Sequence, residues 1–372
     1  MQVNADLHIH SPFSIASSRD MLPARLREGC RIKGLQVLGS GDGLHPGWRR
    51  MWQESPDRGS GILVVPTGEV EDRDRVHHLI LLESWEDCEE LGRHLATDPA
   101  RLMTSGRPRV GLGGEAIAAQ VHALEGLIGP AHAFTPWTSL YASFDRVAAC
   151  YGAEPIDFLE LGLSADSSYG AGISELRGVP FLTSSDAHSP SPVRLGREFT
   201  RLSVRELTCR DVLESVRKGS VVMNAGFFPE EGKYNRTACT RCFRQYSLEE
   251  AVALGWRCTD DRGRIKKGVR DRARELSDSP PSPRPPYLHL IPLGEIIQRV
   301  LSTSSPHTAK CRQLYGELIA AFSTEIAVLV DVPVGEIREV HAAVAGAVDS
   351  LRSGHLVLHP GGGGKYGSFS FS

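Results

Sequence analysis

The segment Val3-Asn4-Ala5-Asp6-Leu7-His8-Ile9-His10 carries two histidines two residues apart. On a strand that spacing puts both imidazoles on one face, and the rest of the chain reads as completing the site they begin. Asp42 and His45 come just past the apolar run Leu35–Leu38, Glu69 past Ile62–Val65, His132 past Leu127-Ile128, and Asp186 and His188 past Val179–Leu182. His78 instead opens the run Leu79–Leu82. Reactive residues that recur at the carboxyl ends of strands alternating with helices converge on one mouth in a β/α barrel, and a cluster of His, Asp and Glu there points to metal ions. A single strand-end histidine is ordinarily a hydrogen-bonded structural residue. An HxH pair, a Glu, further histidines and a closing DxH together favour a multinuclear metal site.

The fold class follows from the alternation. A helix over about Leu22–Cys30 feeds the strand at Leu35–Leu38, and shorter helical patterns lie at Trp85–Leu95 and Phe144–Cys150. Parallel strands need such crossovers, so the class is α/β, and the apolar runs Ile62–Val65 and Leu79–Leu82 read as buried parallel strands. The 372 residues suffice for two or three domains. With 23% charged and 41% apolar residues the chain is of ordinary globular composition. A net charge of −3 means that nucleic-acid affinity must come from a local basic stripe. The start Met1–Asp6 lacks the basic and apolar regions of a signal peptide, and no apolar run approaches the ~18 residues of a membrane span, so a cytoplasmic location is expected and a membrane is excluded as a partner. Of eight cysteines, five are scattered and Cys239, Cys242 and Cys258 are grouped, which fits reduced thiols and one metal module better than a disulfide framework.

Past Phe228 the character changes. Cys239-Thr240-Arg241-Cys242 is a CxxC knuckle, and Trp256-Arg257-Cys258-Thr259-Asp260-Asp261 has the shape of a second one. It leads into Arg262–Arg274, with seven cations in thirteen residues; such runs are often a solvated face. Ser277–Pro292 contains six prolines and cannot be one helix or a central strand, so it is a stiff linker or an extended segment lying on another domain. One helix then starts at Pro306 and runs through Leu314, Leu318, Phe322 and Ile326. A second begins near Pro333, with Ile337, Val340, Val344, Val348 and Leu351 in one apolar stripe ending at Gly354. The closing His359-Pro360-Gly361-Gly362-Gly363-Gly364-Lys365-Tyr366-Gly367 has the composition of a flexible tail, although four glycines also permit close backbone approach.

Asp6–Ser11, Gly41–Pro46, Gly68–Val70, His77–Leu79, Gly129–Phe134 and Ser184–Ser189 resemble the successive motifs of the polymerase and histidinol phosphatase (PHP) superfamily. The cysteine module and the PGGGGKYG segment resemble its endonuclease Q branch, which nicks DNA beside deaminated bases. The resemblance implies a distorted barrel of about seven strands over residues 1–225, a zinc module with the basic run over 226–275, and a Pro-rich linker, helical domain and Gly-rich tail over 276–372. It implies that His8 and His10 share one metal with Asp186, and that Glu69 bridges to a second metal held by His78 and His132. A third position would draw on His188, Asp42 and His45; the extra histidine some members carry after the first motif is absent, with Ser14 and Asp20 in that region. His77 competes with His78, which is preferred because it directly precedes the apolar run. Glu69, Asp186 and His188 would be catalytic. Cys239, Cys242 and Cys258 would ligate structural zinc with Asp261, which stands where the branch carries a fourth cysteine. Zn²⁺ is expected in the barrel too, with Mg²⁺ or Mn²⁺ as alternatives for catalysis.

Beside a phosphodiesterase-like site the basic run, in particular Arg264, Lys266, Lys267 and Arg270, is placed to grip phosphates. The implied activity is metal-dependent hydrolysis of DNA on the 5′ side of uracil, hypoxanthine, xanthine or an abasic site, with a sliding clamp as a further candidate partner. Reading a base inside a duplex requires extruding it, and Trp137, Tyr141 and Tyr169 are candidate stacking residues. The competing reading is a small-molecule phosphoesterase of the histidinol phosphatase kind, which has no need of the module, basic run and helices. A non-catalytic binding module stands third.

Overall fold

The structure, a computed structural model, describes residues 1–55, 59–95 and 99–371. Its strands are β1 (Gln2–Asp6), β2 (Val37–Gly39), β3 (Leu63–Val65), β4 (Thr67–Glu71), β5 (His77–Leu81), β6 (Leu127–Pro130), β7 (Leu159–Glu160), β8 (Phe181–Leu182), β9 (Phe199–Ser203), β10 (Val221–Gly226), β11 (Ala238–Cys239), β12 (Ile265–Lys266), β13 (Tyr287–His289), β14 (Leu356–His359) and β15 (Ser368–Phe371). A six-stranded sheet runs in the order β13-β10-β9-β1-β2-β3, a three-stranded sheet joins β4, β5 and β6, and β7 pairs with β8.

The α/β expectation is met at β1–β2–β3, which are parallel. The helix Pro23–Lys33 makes the first crossover, with proline at its start and Gly34 at φ 94° closing it as the N–H bonds back to Cys30. The expectation that Leu79–Leu82 is a parallel strand is corrected: β5 is antiparallel to both β4 and β6. The cause is local. Asp72 Oδ1 accepts from the N–H groups of Asp74 and Val76 at 2.8 Å each, closing a tight turn between β4 and β5, and a connection that short permits only a hairpin.

The proline-rich stretch forms no helix and lies against the first 225 residues, with Ser282 N–H bonded to Ala171 O and Arg284 Nη1 to Val179 O, and its end, β13, adds to the edge of the main sheet beside β10 in parallel register. Helices follow at Leu293–Val300, Ala309–Phe322, Val334–Val340 and Ala342–Arg352, with a π-helical turn at Ala327–Asp331. Pro306 is not the helix start: Thr308 caps it, its side chain accepting from Cys311 N–H. The helix expected from Pro333 to Gly354 is broken at His341, which is extended (φ −156°) and caps the second half by accepting from Val344 N–H. Val340 accordingly turns outward, while Ile337, Val344, Val348 and Leu351 are buried. These helices share one apolar core with Ile9, Leu26 and Trp48 of the first 225 residues. Within that contact lies a buried ion pair, Lys33 Nζ to Glu325 Oε1 at 2.7 Å. Among the described residues no helix is long and apolar enough to cross a membrane.

Candidate metal centre

The first and last motifs are tied together directly. Ile9 and Ala187 form a parallel bridge, and His10 N–H donates to Ala187 O at 2.9 Å. This brings Asp186 Oδ1 to 3.1 Å from His10 Nε2 and 3.9 Å from His8 Nε2. His188 lies beside them, its Nε2 3.6 Å from the same oxygen and its ring stacked on His10 at 4.4 Å. Glu69 occupies the middle. Its Oε2 is 3.6 Å from His8 Nε2 and 3.4 Å from His10 Nε2, while its Oε1 is 2.8 Å from His77 Nδ1 and 3.1 Å from His132 Nε2. Three overlapping donor groups result: His8, His10 and Glu69; His10, Asp186 and His188; and Glu69, His77 and His132.

Three sequence-based placements are corrected. His78 is not in this cluster and His77 is. In the β4–β5 ladder Glu69 pairs with Leu79 and Val70 with His78, so by strand alternation Glu69, His77 and Leu79 share one face and Val70, His78 and Ile80 the other. His78 is buried there against Asp72 Oδ2 (3.2 Å) and Tyr151 Oη (2.7 Å). Asp42 lies behind His10 and does not face the cluster. Its Oδ1 is 3.0 Å from His10 Nδ1, and its Oδ2 accepts from Ser11 N–H (2.7 Å), Ser11 Oγ (2.5 Å) and Ser14 Oγ (2.8 Å). His45 is outside as well: its Nδ1 accepts from Trp48 N–H to cap the helix Pro46–Gln53, its Nε2 meets Met103 O, and its ring stacks on Phe13.

Two neighbours were missed. Glu160 is buried beneath His8, with Oε2 2.9 Å from His8 Nδ1 and also accepting from His132 N–H at 2.9 Å. Partners of this kind fix ring orientation and tautomer. It follows Phe158-Leu159 by the same pattern of apolar run and then acid that marks the other strand ends, so the signal was present. Arg107 donates from Nη1 to Glu69 Oε2 at 3.0 Å from a loop with no such pattern. Asp42, His132 and Asp186 all adopt left-handed backbone (φ 48°, 34° and 47°), and such conformations gather where surrounding structure over-determines a site.

The electrostatics fit cations. Burial alone would depress the histidines and raise the carboxylates. Instead, burial of His8 is outweighed by Glu160 and Glu69, which hold it well above the ordinary imidazole range. Burial of His10 is outweighed by Asp42 and Asp186, which lift it to about 9. Glu69 is held well below the carboxylate range against burial by His77, His132 and His8, and Asp186 likewise by His10 and His188. The pocket therefore favours positive charge at its centre. The Nε2 atoms of His8 and His10 are buried without a hydrogen-bond partner, as is His132 Nδ1. Buried polar atoms are rarely left so, and the two Nε2 atoms converge on carboxylates as metal-ligating imidazoles do.

The cysteine module is closed by β11 pairing with β12. Donor atoms of Cys239, Cys242, Cys258 and Asp261 lie within 4.8 Å of one another. Cys242 and Cys258 sulfurs are 3.5 Å apart, and Cys239 Sγ is 3.4 Å from Asp261 Oδ1. Arg241 N–H points at Cys239 Sγ at 3.3 Å and Tyr246 Oη at Cys258 Sγ at 3.1 Å. Three thiols and one carboxylate make a set of four donors, the number and type that suit structural zinc. Of the basic run, Arg264 is exposed, and Lys266 Nζ lies 3.9 Å over the Trp137 ring. Lys267 is ion-paired to Glu275 (2.7 Å) and Arg270 to Asp271 (3.2 Å), so part of that charge is already countered.

A cavity of about 410 Å³ opens over the cluster, reaching from His77, His132, Asp186 and His188 to Trp137 and to Lys233, Tyr234 and Tyr366.

Residues 292–355 match the family described as the MJ0043 C-terminal domain. The MJ0043 protein of Methanocaldococcus jannaschii is 42% identical over 246 residues, covering 64% of this chain. The chain thus spans about a third (31%) of that relative's length. The crystal structure of the lesion-specific endonuclease PfuEndoQ from Pyrococcus furiosus is 41% identical, covers 100% of this chain and 96% of its own, and superposes with a TM-score of 0.94. An endonuclease Q in complex with a 27-mer duplex substrate carrying an abasic lesion at the active site is likewise 41% identical, with coverages of 100% and 97% and a TM-score of 0.95. Likeness of this extent over essentially the whole of both chains shows that the chain belongs to the endonuclease Q family.

Proposed function

We propose that this protein is a metal-dependent DNA repair endonuclease that hydrolyses the phosphodiester 5′ of a deaminated base (uracil, hypoxanthine or xanthine) or of an abasic site. The observation that carries the reading is the shared cavity: the buried histidine–carboxylate cluster forms one wall, and Lys233, Tyr234 and Tyr366, from the module and the tail, form another. A small phosphomonoester does not call for that second wall; a polynucleotide does.

His8, His10, Glu69, His77, His132, Asp186 and His188 would hold the ions, zinc with manganese or magnesium as alternatives, and Cys239, Cys242, Cys258 and Asp261 a structural zinc. Divalent ions bound there supply neutralisation of the phosphodiester, an activated water and stabilisation of the leaving oxygen. The chain's own part is to orient the donors. Glu160 and Asp42 fix the His8 and His10 rings through their Nδ1 atoms, and Arg107, fully charged and against Glu69, is placed to meet a phosphate oxygen at the cavity mouth. We read the separate sheets as a distorted barrel over residues 1–225, followed by a module over 226–275 and a helical unit over 276–372, acting in the cytoplasm; a sliding clamp remains a candidate partner.

The test is incubation of the purified protein with Mg²⁺, Mn²⁺ or Zn²⁺ and duplexes carrying one deoxyuridine, deoxyinosine or abasic analogue. A single nick 5′ of the lesion is expected. Equal cutting of undamaged duplex would remove the lesion reading, and hydrolysis of phosphomonoesters alone would establish the phosphoesterase alternative.

A further inference from the structure

The loop that follows the first histidine pair is fastened to the cavity at both ends. Gly106 N–H, next to Arg107, donates to Phe13 O at 3.1 Å; Ser17 Oγ is 2.8 Å from His188 Nδ1, and Ser18 N–H donates to His188 O at 2.8 Å. Arg107 and His188 are themselves part of the cavity wall. Between these ties Ser11 and Ser14 hold the loop down on Asp42.

Two successive turns carry the chain over this rim, Ser14 N–H to Ser11 O at 3.1 Å and Ser17 N–H to Ser14 O at 3.3 Å. Ile15 and Ala16 are the central residues of the second turn, and Ala16 takes φ 63°, a conformation that a residue with a Cβ enters at a cost. Ile15 is 82% exposed at the crest. Phe13 and Met103, joined through the His45 ring that stacks on the one and meets the carbonyl of the other, are exposed as well. A single exposed aliphatic side chain is ordinary. Here, however, the loop is pinned by hydrogen bonds to Asp42, Gly106 and His188, so the isoleucine is held in one place beside the metal cluster.

Extruding a nucleotide leaves a gap in the stack, and an apolar side chain that fills the gap repays part of the lost stacking. Building on the endonuclease reading, we propose that Ile15 is a wedge that enters duplex DNA where the damaged nucleotide leaves it, resting on the neighbouring base pair and keeping the helix open over the cluster. The partner of this apolar rim is a step of stacked bases. A strand already unpaired at the lesion has no use for it.

The experiment compares Ile15→Ser and Ile15→Leu with wild type in the full-length, metal-loaded protein. Nicking is measured on a fully paired deoxyuridine duplex and on the same duplex with the deoxyuridine inside a short unpaired bubble. Unstacking is read separately, from the fluorescence of a 2-aminopurine placed beside the deoxyuridine in a duplex whose linkage 5′ of the lesion is an uncleavable methylphosphonate. Ile15→Ser is expected to nick the paired duplex about 10-fold more slowly and the bubble within about 2-fold of wild type, with Ile15→Leu as wild type on both. Fluorescence should rise with wild type and Ile15→Leu and stay near that of free duplex with Ile15→Ser. Equal losses on both substrates, no loss on the paired one, a Leu variant as slow as the Ser variant, or a full fluorescence rise with Ile15→Ser would overturn the wedge. A wild-type protein that nicks neither substrate sinks the endonuclease reading while the fluorescence still decides the wedge, and nicking without any fluorescence rise sinks the wedge alone.

Discussion

His77 and His78 are adjacent on β5 and serve opposite sides of the sheet: His77 Nδ1 is 2.8 Å from Glu69 Oε1 in the candidate metal cluster, and His78 Nε2 is 3.2 Å from Asp72 Oδ2 in the interior behind it. Their replacement should therefore separate function from stability. His77→Ala is expected to lower the bound-metal stoichiometry and abolish nicking with the melting temperature little changed. His78→Ala should leave the Tyr151 hydroxyl short of a buried partner and cost about 1–3 kcal/mol while keeping the metals. Elemental analysis and thermal melts of the two variants check this; metal loss in the His78 variant with none in the His77 variant would reverse the assignment.

Glu69 and Asp186 face the cluster, whereas Asp42 and Glu160 stand behind the rings of His10 and His8. Glu69→Ala and Asp186→Ala should reduce nicking to background. Asp42→Asn and Glu160→Gln should retain metal with affinity or rate lowered about 10–100-fold, as befits partners that orient ligands. Titration of the apo protein with Zn²⁺ or Mn²⁺, paired with single-turnover nicking, distinguishes the two classes.

Asp261 sets a hard carboxylate beside the three thiols of Cys239, Cys242 and Cys258. Asp261→Cys is expected to raise zinc affinity in the module and leave DNA binding intact, and Cys242→Ser to release that zinc and weaken DNA binding while sparing the metals of the larger site. A competitive chelator titration of the full chain reads both. Wild type without module zinc and no gain in the cysteine variant would leave the basic run as the only grip on DNA.

Glu198 gives a pH dependence. Burial pushes its carboxyl up to about 8, against the opposing effects of Phe227 N–H and Arg197, and its Oε2 has no hydrogen-bond partner. A folded pKa above the unfolded value of about 4.3 contributes stability that is present in full below that value and is lost as pH rises through about 8. Glu198→Gln should therefore match wild type near pH 4, exceed it above pH 8, and flatten the decline between. Melting temperatures of the two metal-free proteins across this range measure the difference.

What could be read from the sequence was local. The closing DxH, Glu69 and His132 lie within or just past apolar runs that become strands, whereas the HxH pair, expected on the first strand, sits beyond it: β1 ends at Asp6, and His8 and His10 are held by the isolated Ile9–Ala187 bridge instead of by a strand's two-residue period. The cysteine knuckles are likewise defined by spacing along a short loop. Tertiary structure decided the rest. Whether His77 or His78 reaches Glu69 depends on the register and antiparallel sense of β4 and β5, fixed by the Asp72 turn, and an apolar run on both faces of a strand carries no mark of which face is which. Asp42 and His45 have the composition of ligands, yet Asp42 is consumed by His10 and Ser11 and His45 by a helix N-terminus, because hydrogen-bond demand in a buried site is met by whatever the fold brings near. The tail was legible only as glycine-rich. Its docking depends on backbone groups of Glu230, Lys233, Arg236 and Cys239 more than a hundred residues away, and contacts between backbone atoms leave no signature in the side chains that a sequence records.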